Sequence, residues 1–265
     1  MKSLKLTSCM AENADFICYT IARYISERLH IPTEFINDIP WQERERLLDV
    51  DQIQVGWICG LPCVWKVDQP DSHIELLAAP VMRGARYQNR PIYFSDVVVY
   101  RDSRFHTFAD LQGASWAYNE PRSHSGYNLV RYHLATLGET SGYFGKVVES
   151  GAHQTSLQMI LDRQVDASAI DSTVLELELR RYPEIRSQIR VIETLGPSPI
   201  PPWVILKSVP QKLRTALCEL LLHMHRDPQG CVILLAGQID RFVRVEDRDY
   251  DAIRHMARKA EGITL

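Results

Sequence analysis

The feature that most constrains this chain is a rhythm. Short apolar runs of strand length alternate with stretches whose apolar residues recur at helical spacing. Leu4-Lys5-Leu6-Thr7 alternates as a strand does. Ile17, Ile21, Tyr24, Ile25 and Leu29 then fall on one helix face, and Pro32 closes that helix because proline cannot extend it. Thr33 to Ile36 reads as a strand and Trp41 to Leu48 as a short helix. Ile53 to Trp57 reads as a strand running into Gly60, and Ile74 to Val81 as another. Strands alternating with helices bury their faces by packing helices on a mostly parallel sheet, so the class is α/β.

The rhythm breaks at Ile92 to Tyr100, a long run rich in β-branched and aromatic residues. It resumes after the turn Asp110-Leu111-Gln112-Gly113. Ala114 to Tyr118, Val147-Val148, Val165 to Ile170 and Ile189 to Thr194 read as strands. Helices are expected from Ser123 to Leu137 with a stop at Gly138, from His153 to Arg163, and from Ser172 to Tyr182. Gly196-Pro197-Ser198-Pro199-Ile200-Pro201-Pro202 is the strongest punctuation in the chain. One strand, Trp203 to Leu206, and mainly helices follow it. That tail is too small for a domain of its own and is expected to return to the first. The expected organisation is therefore two lobes, residues 1–95 with 198–265 and residues 96–197, joined by two crossings.

Composition excludes whole classes. The 265 residues carry 30 Lys and Arg against 33 Asp and Glu, a net charge of -3, with the two signs interleaved. No basic footprint for nucleic acid exists, so none is expected as a partner. No apolar run approaches the roughly 18 residues of a membrane helix. Met1 to Thr7 reads as a core strand and not as a leader, so a cytosolic location is expected if Met1 is the native start. A periplasmic one is expected if an apolar leader lies upstream. Six cysteines, several in apolar contexts such as Cys231-Val232-Ile233-Leu234, read as buried thiols of a reducing compartment. Cys59 and Cys63 have no second ligand pair at zinc spacing, so no metal site is expected. No dinucleotide, P-loop or nucleophile-elbow motif is present, so neither a cofactor nor a catalytic residue is expected.

The segment with chemical content is Tyr118-Asn119-Glu120-Pro121-Arg122-Ser123-His124-Ser125-Gly126-Tyr127. A strand leads through a proline turn to two serines and a glycine at a helix start. Unpaired N–H groups, the positive dipole end, two hydroxyls and a glycine that admits a ligand make an oxyanion cradle. Simple N-capping by serine explains the same residues without a ligand.

At this point the sequence resembles a family. Asp110-Leu111-Gln112-Gly113, Ser123-His124-Ser125-Gly126-Tyr127, Ser150-Gly151-Ala152-His153 and Val165 to Asp171 look, in that order, like the phosphonate-binding proteins. Gln54-Val55-Gly56-Trp57, Tyr93 to Val99 and Ile200-Pro201 extend the likeness over most of the chain. Those proteins are substrate-binding components of phosphate, phosphite and phosphonate ABC transporters. The resemblance implies a two-lobed type II periplasmic-binding-protein fold with two hinge crossings. It also implies a small anionic ligand in the inter-lobe cleft, a transporter permease as partner, and a monomer.

Carried over residue by residue, the resemblance places the cradle at Ser123, His124, Ser125 and Gly126. His124 stands where the family has a small hydroxyl residue; it either meets the anion, narrows the site, or points to solvent. His153 matches a family histidine that opens a helix, with capping or packing as its other role. Asp171 either meets a ligand's amino group or caps the next helix. Trp57 and Tyr93 are implied aromatic walls, Trp57 reading equally as core. Glu12 and Asn13 follow the first strand, with backbone N–H groups expected to face the ligand. Tyr118 and Trp203 fit the core better. Two other functions share the fold: an enzyme like those of thiamine-pyrimidine synthesis, and a cytosolic ligand sensor.

Overall fold

The computed structural model describes residues 3–265. Its strands, in chain order, are β1 (Leu4–Ser8), β2 (Thr33–Ile36), β3 (Val55–Trp57), β4 (Ile74–Met82), β5 (Ile92–Tyr100) and β6 (Ser115–Tyr118). They continue with β7 (Lys146–Glu149), β8 (Ala167–Asp171), β9 (Ile189–Pro199), β10 (Trp203–Leu206) and β11 (Ile239–Val243). The chain divides into two compact units. One holds the residues up to Ile92 and Pro199–Asp251; the other holds Tyr93–Ser198 and Ala252–Leu265.

The first unit is built on a sheet of order β11-β4-β10-β3-β1-β2. β1 lies parallel to β2 and β3, with Leu6 paired to Phe35 and to Val55. β10 and β11 run antiparallel to their neighbours. The sheet is thus less parallel than the rhythm implies. The returning segment supplies both strands, and antiparallel pairing needs no helical crossover to bring them in. The helix Asp15–Leu29 buries Ile17, Ile21, Tyr24 and Ile25. Burial of each large apolar side chain stabilises by about 1.5–3 kcal/mol. That helix ends as expected, with His30 in the left-handed region two residues before Pro32.

The second unit has the order β7-β6-β8-β5-β9. β6 is parallel to β7 and β8, and β5 is antiparallel to β8. One face carries Val97, Val99 and Trp116 under Leu129, Val130 and Leu134. The other carries Val98, Ala117 and Ile170 under Leu157, Ile160 and Leu175. Burial on both faces explains why β5 reads as an unbroken apolar run.

Three expectations need correction. The punctuation from Gly196 is not a loop throughout, because β9 extends to Pro199. β9 is an edge strand, where a proline costs no ladder hydrogen bond. Next, residues 252–265 belong to the second unit, not the first. Arg131 fastens them, donating from Nε to Ile263 O at 2.7 Å and from Nη2 to Ala260 O at 2.6 Å. Ile263 joins the core of that unit. Finally, Cys231 is exposed. Its apolar run is the helix Pro228–Ala236, whose outer face also exposes Val232 and Leu235. No helix among the described residues is long and apolar enough to cross a membrane.

Candidate functional site

Parallel strands followed by helices put several helix starts at one sheet edge. β6, β7 and β8 end at Tyr118, Glu149 and Asp171, and helical turns begin after them at His124, His153 and Ser172. β5 runs the other way, with Ser95 opposite Asp171, so its first residues share that edge. Ser123 caps the first turn: its Oγ accepts from Gly126 N at 3.1 Å. The turn is wide, because Asn128 N reaches back five residues to Ser123 O at 3.0 Å. His124–Asn128 is thus a π-type turn leading into the α-helix Leu129–Thr136. Single π turns inside helices frequently mark functional sites.

The wide turn brings the cradle residues inward. Ser125 Oγ lies 3.1 Å from His153 Nε2. His153 is 7% exposed, yet its Nδ1 has no hydrogen-bond partner among the described residues. A Cβ on Gly126 would collide with Asn119 Oδ1 and come within 3.0 Å of His153 Cε1, so this close approach requires glycine. His124 does not point to solvent: it is 0% exposed. Its Nδ1 lies 3.2 Å from Asn128 Nδ2, which can only donate, so the ring proton sits on Nε2. Nε2 then donates to Ser198 Oγ at 3.0 Å. Burial pushes His124 down to about 3 and His153 down to about 4, so both rings are neutral at pH 7.

Asp171 caps the helix Ser172–Arg181, its Oδ1 accepting from Thr173 N at 2.8 Å and Thr173 Oγ1 at 2.7 Å. Burial, opposed by these hydrogen bonds, raises its carboxyl to about 6. Tyr93 is buried, its ring tilted against that of His124 with centroids 6.4 Å apart. Tyr118 stands at the same edge, tilted on Tyr127.

Three candidates belong to the first unit. Trp57 ends β3 and is buried, stacked on Trp203 at 6.0 Å. Its Nε1 donates to Pro201 O at 2.9 Å, which is core behaviour. Glu12 and Asn13 form a 3₁₀ turn beyond the end of β1, at the same sheet edge as Trp57. Glu12 is exposed.

Sequence reasoning missed Asn119, Ser95 and Ser198. Asn119 directly follows β6, a position from which the signal was available. Ser95 Oγ donates to Ser125 O at 2.8 Å across 30 residues, a pairing no local pattern announces. No group of His, Cys, Asp and Glu among the described residues is arranged to hold a metal ion.

A family model described as "ABC transporter, phosphonate, periplasmic substrate-binding protein" matches residues 17–250. The chain belongs to that family. A similar relative is the phosphonates-binding periplasmic protein of Escherichia coli (strain K12), 20% identical over 190 residues. The match covers 69% of this chain but only 54% of that protein. Among solved structures, PhnD1 of Prochlorococcus marinus (MIT 9301), in complex with methylphosphonate, superposes with a TM-score of 0.85 at 18% identity, covering 99% of both chains. A binding protein component of an ABC phosphonate transporter from Pseudomonas aeruginosa gives a TM-score of 0.83 at 17% identity, covering 96% of this chain and 85% of that one. The family's fold is the type II periplasmic-binding fold, as the sequence resemblance implied.

Proposed function

We propose that this chain is the ligand-binding component of an ABC transporter, and that a phosphonate, phosphate or phosphite oxyanion docks at the His124–Asn128 turn. The observation that carries this reading is the buried, unpartnered Nδ1 of His153 beside Gly126. Buried polar atoms are rarely left unpaired without a role. An anion at Nδ1 selects the tautomer in which Nδ1 carries the proton and donates, while Nε2 accepts from Ser125 Oγ. The helix start adds backbone N–H groups and the positive dipole end, which favour an anion. The imidazoles are neutral, so recognition rests on hydrogen bonds and dipoles.

The same geometry disfavours an enzyme. Ser125 and His153 form a serine–histidine contact, but no carboxylate among the described residues bonds His153 Nδ1 to orient the ring as a catalytic triad requires. His124 has both ring nitrogens engaged. In this reading the ligand is released unchanged to a permease, the protein works as a monomer, and its setting is the periplasm, as for the family. Recovery of the native protein from the cytosolic fraction would restore the sensor reading.

The test is a thermal-shift screen against phosphate, phosphite, methylphosphonate, 2-aminoethylphosphonate and small carboxylates. A true ligand at 100 times its Kd adds about 2.7 kcal/mol of stability. Mass spectrometry should recover it intact after long incubation. No shift with any phosphorus oxyanion, or steady turnover of one, overturns the proposal.

A further inference from the structure

The His124 side chain does something that capping a helix does not require. Ser123 already caps the turn, and a small residue would satisfy the backbone there. Instead an imidazole fills the interior and meets three separate segments. Asn128, on the turn itself, bonds Nδ1. Ser198 bonds Nε2. Tyr93 lies against the ring.

Tyr93 and Ser198 hold special places in the chain. They are the first and last residues of the long segment of the second unit, so the backbone enters that unit at one and leaves it at the other. Two further bonds strengthen the link. Ser95, just inside the entry, donates to the carbonyl of Ser125 at 2.8 Å. Ser198 Oγ donates to Met256 Sδ at 3.8 Å, joining the exit to the returning helix Asp251–Lys259. All these groups lie within one unit, and His124 stands at their centre with no exposed surface.

We infer that His124 is a positioning residue that fastens the anion-holding turn to both points where the chain passes into and out of the second unit. The inference rests on the oxyanion reading for what occupies the turn. A close-packed interior has no slack to absorb a shift, so a movement of Ser123–Gly126 is transmitted to Tyr93 and Ser198 through this ring.

Amide hydrogen exchange on the full chain tests it. His124→Phe keeps a buried ring but loses both hydrogen bonds; His124→Gln restores a donor and an acceptor. Without ligand, the Phe variant should exchange about tenfold faster at 91–96 and 196–200 as well as at 121–128, and the Gln variant should recover most of that protection. Ser198→Ala, which leaves the turn untouched, should loosen 121–128 and keeps the test available should the Phe variant not fold. Added methylphosphonate should protect 91–96 and 196–200 in the unaltered chain, and the Phe variant should lose that protection at matched occupancy. Loosening confined to 121–128, or Ser198→Ala without effect there, overturns the inference. If the unaltered chain binds no phosphorus oxyanion, the oxyanion reading fails separately, and the ligand-free comparison alone decides the role of His124.

Discussion

Ser125 and His153 share one hydrogen bond, and its direction follows the tautomer that an anion at Nδ1 selects. Ser125→Ala removes the hydroxyl that donates to Nε2 when Nδ1 carries the proton, so the anion-binding tautomer of His153 loses its partner. Affinity for the bound oxyanion should fall by roughly 1.5–3 kcal/mol by calorimetry, the worth of a hydrogen bond to a charged group. Equal affinity in the variant would exclude the pair from binding. Asp171→Asn separates capping from charge, because an asparagine oxygen still accepts from Thr173 N. The variant should keep its melting temperature within a few degrees. It should lose more affinity for an aminoalkylphosphonate than for the amine-free analogue, since a charge-assisted bond is the stronger. Equal losses for both ligands would leave Asp171 as a helix cap alone. At this scale the sequence is legible where partners are local. Ser123 and Asp171 reveal their capping by spacing. His124 does not, because its partner Ser198 lies 74 residues away and its burial is set by the fold around it.

Among elements, the wide turn His124–Asn128 is the one whose shape depends most on a single residue. Gly126→Ala would drive a methyl group into Asn119 and against the His153 ring. Overpacking of this kind typically costs about 1–3 kcal/mol. The expected outcome is a lower melting temperature together with loss of oxyanion binding, because the ring that presents Nδ1 must move. A variant that melts and binds as the unaltered chain does would show that Asn119 yields freely and that the glycine is not required. The strands flanking this turn were readable from apolar runs, since β8 is buried throughout and β6 buries Trp116 and Ala117. β11 was not. Of its five residues only Ile239 and Phe242 are buried, and a register shift between Ile239 and Arg241 erases the period-two pattern. The π turn itself was read as ordinary helix, because the five-residue reach from Asn128 to Ser123 depends on backbone geometry that side-chain spacing does not encode.

For the whole molecule, the buried imidazoles set how stability responds to acid. His124 and His153 titrate near 3 and 4 when folded, against about 6.5 unfolded. Below pH 6.5 the unfolded chain takes up protons that the folded chain refuses, so stability rises with pH. It is complete above about 6.5 and is lost as pH falls toward 4, by roughly 2 kcal/mol per ring at pH 5. Asp171 acts in the opposite sense. Its folded carboxyl, raised to about 6, holds a proton that the unfolded chain releases, which returns roughly 1 kcal/mol over the same descent. Thermal unfolding should therefore show a net loss between pH 7.5 and pH 5, and His124→Gln should remove about half of the histidine share. A melting temperature independent of pH over that range would mean that the rings are not held neutral. The two-unit plan was legible from punctuation and rhythm. The return of residues 252–265 to the second unit was not, because Arg131 and its two carbonyl partners are more than 120 residues apart.

That return has a consequence for the order in which the molecule is made. A ribosome releases the chain from its N-terminal end, and domains ordinarily fold as they emerge. Here β1 to β4 emerge early but lack β10 and β11 until the chain passes Val243. The second sheet is complete once Pro199 is free, yet Ile263 and the carbonyls that Arg131 grips arrive only after the first unit's returning segment. Each unit thus waits for a segment synthesised after the other has begun. The first cannot finish before Asp251 has emerged and the second cannot finish before Ile263 has, and the apolar face that Ile263 covers stays open to chaperones until then.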